Sequence, residues 1–320
     1  MPDEVVAREP APPPGRLRGR LRPEEMFPAG PCGHPRIGVR YVTLAAGHRV
    51  RVLECGRGPA VALLHGWGAS GFTYRHAILP LADAGHRVLV PDVIGHGLSD
   101  KPADRRLYSL PALAESVRET LDRVGAGAVA VAGHSMGGGI ALHLAMTHPE
   151  RITHLALLGS ARLGRIRGIA LLRALALGAA LPIYPYLVTR FGIRLLLHRV
   201  YGRGGAFSPR DVDEYWAPSQ YPSYARAMWS IMKEYDWSLV EPDDVRGLRV
   251  PTLLMTAARD WIVSSREAAE YARAIPGSTL DVVEGAGHLF PEAQWQRTNE
   301  ALLALLRRPP APAARGAAAP

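Results

Sequence analysis

Residues 128–147 run Ala-Val-Ala-Val-Ala, then Gly133-His134-Ser135-Met136-Gly137, then Gly-Gly-Ile-Ala-Leu-His-Leu-Ala-Met-Thr. An apolar run of strand length thus meets a helical pattern through a G-x-S-x-G turn, and few folds accommodate that junction. The turn is sharp, and the chain doubles back on itself at the serine. Side chains at positions 133 and 137 would collide with each other or with a neighbouring strand, so both are expected to be glycine. A phosphate-binding Gly-rich turn is the competing reading of the same five residues.

The rest of the chain supplies a parallel-sheet context. Ala60–Leu64 and Arg87–Pro91 are short apolar runs that suit buried parallel strands. His154–Leu158, Thr252–Met255 and Thr279–Val283 follow as further strands, and Val39–Leu44 and Arg49–Glu54 alternate as edge strands do. Pro111–Val124 carries Leu113, Val117, Leu121 and Val124 on one helical face, and Glu267–Ala274 and Gln294–Leu306 read as helices. Strands alternating with helices predict a mostly parallel α/β sheet covered on both faces. Of the 320 residues, 48% are hydrophobic and 21% charged, enough apolar matter for one large domain. Cys32 and Cys55 are too few for a disulfide framework or a thiolate zinc site.

The formal charge of +9 is local. Eight arginines and no Asp or Glu fall between Arg162 and Gly205, so that segment alone carries +8. No nucleic-acid reading module accompanies them, and no nucleic-acid partner is expected. Residues 1–36 contain nine prolines and are expected to form a disordered tail, as is the Pro/Ala-rich end at 307–320. The start Met-Pro-Asp-Glu lacks the basic-then-apolar order of a secretory signal, and no run reaches the ~20 apolar residues of a membrane span. A cytoplasmic protein is the expectation.

Four motifs occur in a telling order: His65-Gly66-Trp67-Gly68; Asp92-x-x-Gly95-His96-Gly97-x-Ser99-Asp100; the turn at 133–137; and Gly285-x-Gly287-His288. Together they resemble the α/β-hydrolase superfamily over roughly residues 38–306, in its serine-nucleophile, esterase and lipase-like branch. The resemblance implies an α/β-hydrolase fold, with core segments 37–161 and 247–306 and a helical cap over 162–246.

The family order of nucleophile, acid and histidine implies Ser135, Asp260 and His288 as a catalytic triad. Asp260 follows the strand from Thr252, and His288 follows Thr279–Val283 by a short Gly-containing loop. Asp92 is a weaker candidate acid, its carboxylate expected to cap the Gly-rich loop that follows. His65 and His134 sit inside motifs and are expected to brace loops. The backbone N–H of Met136, directly after the nucleophile, is expected to serve an oxyanion hole. The resemblance points to the N–H of Trp67 as the second donor, with the Trp67 ring as pocket wall or core aromatic.

Relatives of this family that cleave carbon–halogen bonds or open epoxides use aspartate where this chain has Ser135. The expectation is therefore a serine hydrolase that cleaves hydrophobic carboxylic esters through an acyl-enzyme, with no cofactor or metal. A C–C bond hydrolase, a perhydrolase or haloperoxidase-like activity of the same triad, and a non-turnover accessory protein are the alternatives. In the cap, Ile169, Leu171, Leu172, Leu175, Leu177, Leu181, Ile183 and Leu187 are expected to make an apolar pocket. Tyr184, Tyr186, Tyr215, Trp229 and Trp237 are candidate aromatic wall. Flanking arginines, among them Arg165, Arg167 and Arg173, open two further readings: the plainer one, in which the leucines pack the cap onto the core and the arginines solvate its outer face, and peripheral contact with an anionic membrane.

Overall fold

The computed structural model describes residues 21–30, 33–175, 184–202 and 205–310. Eight strands form one sheet: β1 (Gly38–Thr43), β2 (Arg49–Cys55), β3 (Ala60–Leu64), β4 (Arg87–Pro91), β5 (Val129–His134), β6 (Ile152–Leu158), β7 (Thr252–Ala257) and β8 (Thr279–Val283). Their spatial order is β1-β2-β4-β3-β5-β6-β7-β8. β2 pairs antiparallel with β1 and β4, and every pair from β4 onward is parallel. This is the expected α/β-hydrolase architecture. β2 differs from its edge-strand reading: it has a partner on each side and is mostly buried, and only β1 lies at that edge.

The helices are α1 (Ile78–Asp83), α2 (Leu110–Arg123), α3 (Met136–Thr147), α4 (Ile169–Leu175), α5 (Tyr184–Leu187), α6 (Arg190–Tyr201), α7 (Pro209–Trp216), α8 (Pro222–Glu234), α9 (Ala268–Ala274), α10 (Phe290–Ala293) and α11 (Trp295–Leu306). Successive strand residues point to opposite faces, and the core divides accordingly. Ala62 and Leu64 of β3 pack with Leu113 and Val117 of α2 and Ile140 and Leu144 of α3. Val61 and Leu63 pack on the other face with Ile78 and Leu81 of α1 and Leu302 and Leu305 of α11. Parallel strands buried on both faces need no polar alternation, which is why β3 and β5 read as unbroken apolar runs. Because β3 and β5 to β8 all end on one edge, the loops that follow them converge there.

Both tail expectations change where the chain is described. Phe27 is buried against Phe72, and its N–H donates to Glu214 (2.9 Å). Its carbonyl accepts from Arg51 (2.8 Å). One aromatic anchor with satisfied backbone groups offsets the ordering cost of a proline-rich turn segment, which composition alone does not reveal. At the other end, the Arg308 carbonyl bonds to His154 Nε2 (2.8 Å), so the ordered chain passes Arg307. Residues 1–20, 31–32 and 311–320 lie outside the described residues, as do Leu177, Leu181, Ile183 and Arg203. The side chains of Leu172, Leu175 and Tyr186 do as well.

Candidate active site

The turn after β5 has the strain its sequence implies. Ser135 sits at φ 53° and ψ −117°, a conformation that costs a non-glycine residue roughly 1–3 kcal/mol. Four contacts hold it there: Ser135 N–H donates to Leu158 O (3.0 Å), and Ser135 O accepts from Gly138, Gly139 and Ala161 N–H. A Cβ on Gly133 would lie 2.2 Å from the Gly137 carbonyl oxygen, and one on Gly137 would lie 2.2 Å from Leu64 O. The turn closes only because both positions lack side chains.

The loops after β7 and β8 bring the other two residues to the serine. Asp260 Oδ2 accepts from His288 Nδ1 at 2.7 Å, and His288 Nε2 lies 3.0 Å from Ser135 Oγ. A carboxylate can only accept, so the proton is on Nδ1, and the Nε2 lone pair faces the serine hydroxyl, which donates. Asp260 Oδ1 accepts two further bonds, from Ile262 N–H (2.8 Å) and Val263 N–H (2.9 Å). Burial alone would raise the Asp260 pKa. The neighbouring His288 and the three hydrogen bonds outweigh it and hold the carboxyl below its usual range. All three side chains are buried, Ser135 being 8% exposed.

The other histidines and Asp92 take supporting places. His65 Nε2 accepts from Val93 N–H (3.0 Å), and its Nδ1 donates to Gly66 O (2.9 Å). His134 Nε2 donates to the carbonyl of His288 (2.9 Å), with the two rings 4.7 Å apart. Burial, reinforced by His288, lowers the His134 pKa to about 3, so its ring is neutral. Asp92 is 0% exposed. It accepts from Gly71 N–H and Leu98 N–H (both 2.8 Å) and pairs with Arg51 at 2.8 Å.

The two expected oxyanion donors belong to segments next to the serine. Met136 opens α3, and the first N–H groups of a helix have no intrahelical acceptor. The loop after β3 comes close: a Cβ on Gly66 would lie 3.1 Å from Ser135 Cβ. Gly66 O is turned toward Ala69 N–H (3.2 Å) and His65 Nδ1. In a trans peptide the N–H points opposite to the carbonyl, so the Trp67 N–H is directed away from those partners. The Trp67 ring is not a core aromatic. It is 39% exposed, and its Nε1 donates to Met228 O of α8 (3.3 Å).

Helices from the segment between β6 and β7 meet these loops. Tyr224 of α8 donates to Gly68 O (2.9 Å), and Tyr235 donates to Met136 O (3.1 Å). The end of α6 accepts from the His288 loop: Leu289 N–H donates to Val200 O (2.8 Å) and Gly287 N–H to Tyr201 O (3.2 Å). Buried Glu292 joins the same assembly, accepting from Tyr201 (2.7 Å), Tyr215 and Arg75 (2.6 Å). Sequence reading missed Glu292, Tyr224 and Tyr235, because nothing local marks a Glu or Tyr that finds its partner tens of residues away. Tyr215 serves this cluster rather than a pocket wall. Leu171 and Leu187, expected to line a pocket, are more than 60% exposed. Trp229 lies beneath the Arg105 guanidinium (4.6 Å), and Trp237 packs on Tyr235. Among the described residues no three His, Cys, Asp or Glu side chains gather as a metal-binding group.

The family model described as alpha/beta hydrolase fold matches residues 59–292. Bifunctional epoxide hydrolase 2 of Rattus norvegicus is 34% identical over 145 residues, 45% of this chain and 26% of that protein. The chain thus covers about a quarter of that relative. The magnesium-chelatase 30 kDa subunit of Rhodobacter capsulatus is 34% identical over 244 residues, 73% of this chain and 82% of that protein. A solved serine hydrolase involved in carbazole degradation (CarC enzyme) superposes with a TM-score of 0.71 at 24% identity, covering 84% of this chain and 98% of that one.

Proposed function

The chain belongs to the alpha/beta hydrolase family, and from that premise we propose that it is a serine hydrolase that cleaves carboxylic esters through an acyl-enzyme. The observation that carries this reading is the hydrogen-bond chain Ser135–His288–Asp260, with the imidazole in the tautomer a general base requires.

His288 Nε2 takes the proton of Ser135 as Oγ attacks the ester carbonyl. The developing oxyanion is met by the N–H groups of Met136 and Trp67. Preorganised donors of this kind are worth about 3 kcal/mol each in the transition state. The imidazolium then protonates the leaving alcohol, and Asp260 stabilises the cation meanwhile. Water, deprotonated by the same His288, attacks the acyl-enzyme and frees the acid.

Ser135 also separates this chain from epoxide hydrolysis, the activity in the name of one relative. Attack of a serine oxygen on an epoxide carbon would leave an ether. Water cannot hydrolyse an ether under these conditions, whereas a carboxylate nucleophile leaves a cleavable ester.

A fluorophosphonate is expected to label Ser135 covalently, and Ser135→Ala is expected to lower kcat/KM on p-nitrophenyl esters about ten-thousand-fold or more with the fold retained. Labelling elsewhere, or turnover within tenfold of the parent, would overturn the assignment.

The match to the magnesium-chelatase subunit supports a second reading, an accessory protein whose purpose is assembly rather than turnover. That reading expects no turnover across ester chain lengths, and partner binding that survives Ser135→Ala.

A further inference from the structure

The eight arginines of the 162–205 segment are not equivalent once folded. Arg167 donates to Asp260 O (2.9 Å) and Arg173 to Lys233 O (2.8 Å), so two of the residues expected to reach a membrane are tied to main-chain carbonyls, although Arg167 stays exposed. Arg162 pairs with Asp236, and Arg190 with Asp213 (2.7 Å). Arg165 lies 3.6 Å from Glu267.

Helix α6 is different. Its inner side buries Leu197, Val200 and Tyr201 against Val212 of α7 and Leu289. Its outer side carries Phe191, Leu195 and Leu196, which are 69%, 54% and 45% exposed. At 100° per residue, Phe191 and Leu195 share one stripe, with Arg194 on one flank and Arg199 on the other. Both arginines are exposed. Neither arginine has an ion-pair partner among the described residues, and Arg199 lies 5.2 Å over the Trp261 ring. Leu187 of α5, 65% exposed, extends the apolar stripe at the helix entrance. Water is a poor solvent for such a stripe, and no carboxylate in 162–205 offsets the charge beside it. An apolar face bordered by arginines matches the interface of an anionic bilayer, where acyl-chain contact and headgroup attraction act together.

We propose that the outer face of α6 docks on an anionic lipid surface. Docking there places the site at the surface. Tyr201, which ends α6, accepts from the His288 loop, and Leu195 and Phe191 lie only about 9 and 15 Å further along the axis. A hydrophobic ester drawn from the bilayer would then have a short path to Ser135.

The test is sedimentation of the full chain with sucrose-loaded vesicles, either pure phosphatidylcholine or phosphatidylcholine with 30% phosphatidylglycerol (~30 mol%, chosen as a typical anionic surface). Binding is expected on the anionic vesicles only, and is expected to fall with added salt. Arg194→Gln and Arg199→Gln are each expected to weaken it about fivefold. Phe191→Ala with Leu195→Ala is expected to abolish it, and Arg106→Gln, in the turn before α2 and outside the apolar stripe, to leave it unchanged. All five side chains are exposed, so circular dichroism should show folded variants. Equal binding to neutral vesicles, no binding at low salt, or binding indifferent to the α6 variants would overturn the proposal. Light scattering covers the other occupant: a dimer that Phe191→Ala with Leu195→Ala dissolves, without vesicle binding, would assign the face to a second copy. Binding is read without turnover, so its failure leaves the reading of Ser135 untouched.

Discussion

The sheet edge that carries Ser135, Asp260 and His288 and the helical segment between β6 and β7 are held by different means. At the sheet edge, backbone does the holding. Ser135 is fixed by four main-chain contacts and Asp260 by two N–H donors from its own loop. The helical segment has main-chain bonds at the end of α6, but much of its fastening is by side chains: the hydroxyls of Tyr224 and Tyr235, the Trp67 ring, and Glu292 with its tyrosines. Main-chain fastening is indifferent to most substitutions, whereas a side-chain fastening is lost with one residue. The segment also leaves more apolar matter uncovered. Half of the large hydrophobic residues exposed among the described residues belong to it: Leu171, Leu187, Phe191, Leu195 and Leu196. On the proposed reading, the edge carries the chemistry and the segment is its cover, governing access.

The contrast is broken most severely at the edge. Beyond the loss of Ser135, Asp260→Asn is expected to lower kcat/KM by about a thousandfold to ten-thousandfold, because the amide can donate to Nδ1 and hold the wrong tautomer. Its melting temperature should stay within a few degrees of the parent. Activity near the parent level would place the acid elsewhere.

Acid should act on the edge before it acts on the cover. An unfolded histidine titrates near 6.5, while buried His134 holds its pKa at about 3. Between those values the unfolded chain binds a proton that the folded chain does not, so stability falls as pH drops through the window. At pH 5 the loss from His134 alone is about 2 kcal/mol. His65 and His96, also lowered by burial, add to it. The lowered carboxyls of Asp92 and Asp260 add a second loss only below about pH 4. Urea midpoints at pH 7 and pH 5 check this, and His134→Gln, which keeps an N–H for the His288 carbonyl, should flatten the slope. An unchanged slope would remove His134 from the explanation.

The smallest effect is expected at the cover. Tyr235→Phe removes the hydroxyl that bonds Met136 O, a carbonyl that keeps its intrahelical donor at the start of α3, at a cost of about 0.5–1.5 kcal/mol. Turnover should change less than tenfold, with the larger part in KM. A collapse of kcat would mean that the cover positions the nucleophile directly and that the division drawn here is too sharp.

Legibility followed the same division. The turn at 133–137 could be read because its glycines are forced by atoms two residues away, and strands buried on both faces announce themselves as apolar runs. His288 and Asp260 could be placed because the family resemblance implies their order after the serine and each follows its strand by a few residues. The cover resisted reading. Leucines at 171 and 187 look the same in sequence whether they face a pocket or water, and the arginines at 167 and 173 do not show that they bond to main-chain carbonyls of Asp260 and Lys233.

By itself, then, the sequence determined the parallel sheet, the sharp serine turn and the short list of residues able to reach it, since local sterics and burial period dictate all three. Tertiary structure alone decided which face of α6 is left to solvent, that Phe27 anchors a proline-rich turn segment, and that Glu292 gathers two tyrosines and an arginine. Those outcomes depend on partners between about 45 and 220 residues apart in the chain, and only packing a whole molecule brings such distant groups into contact.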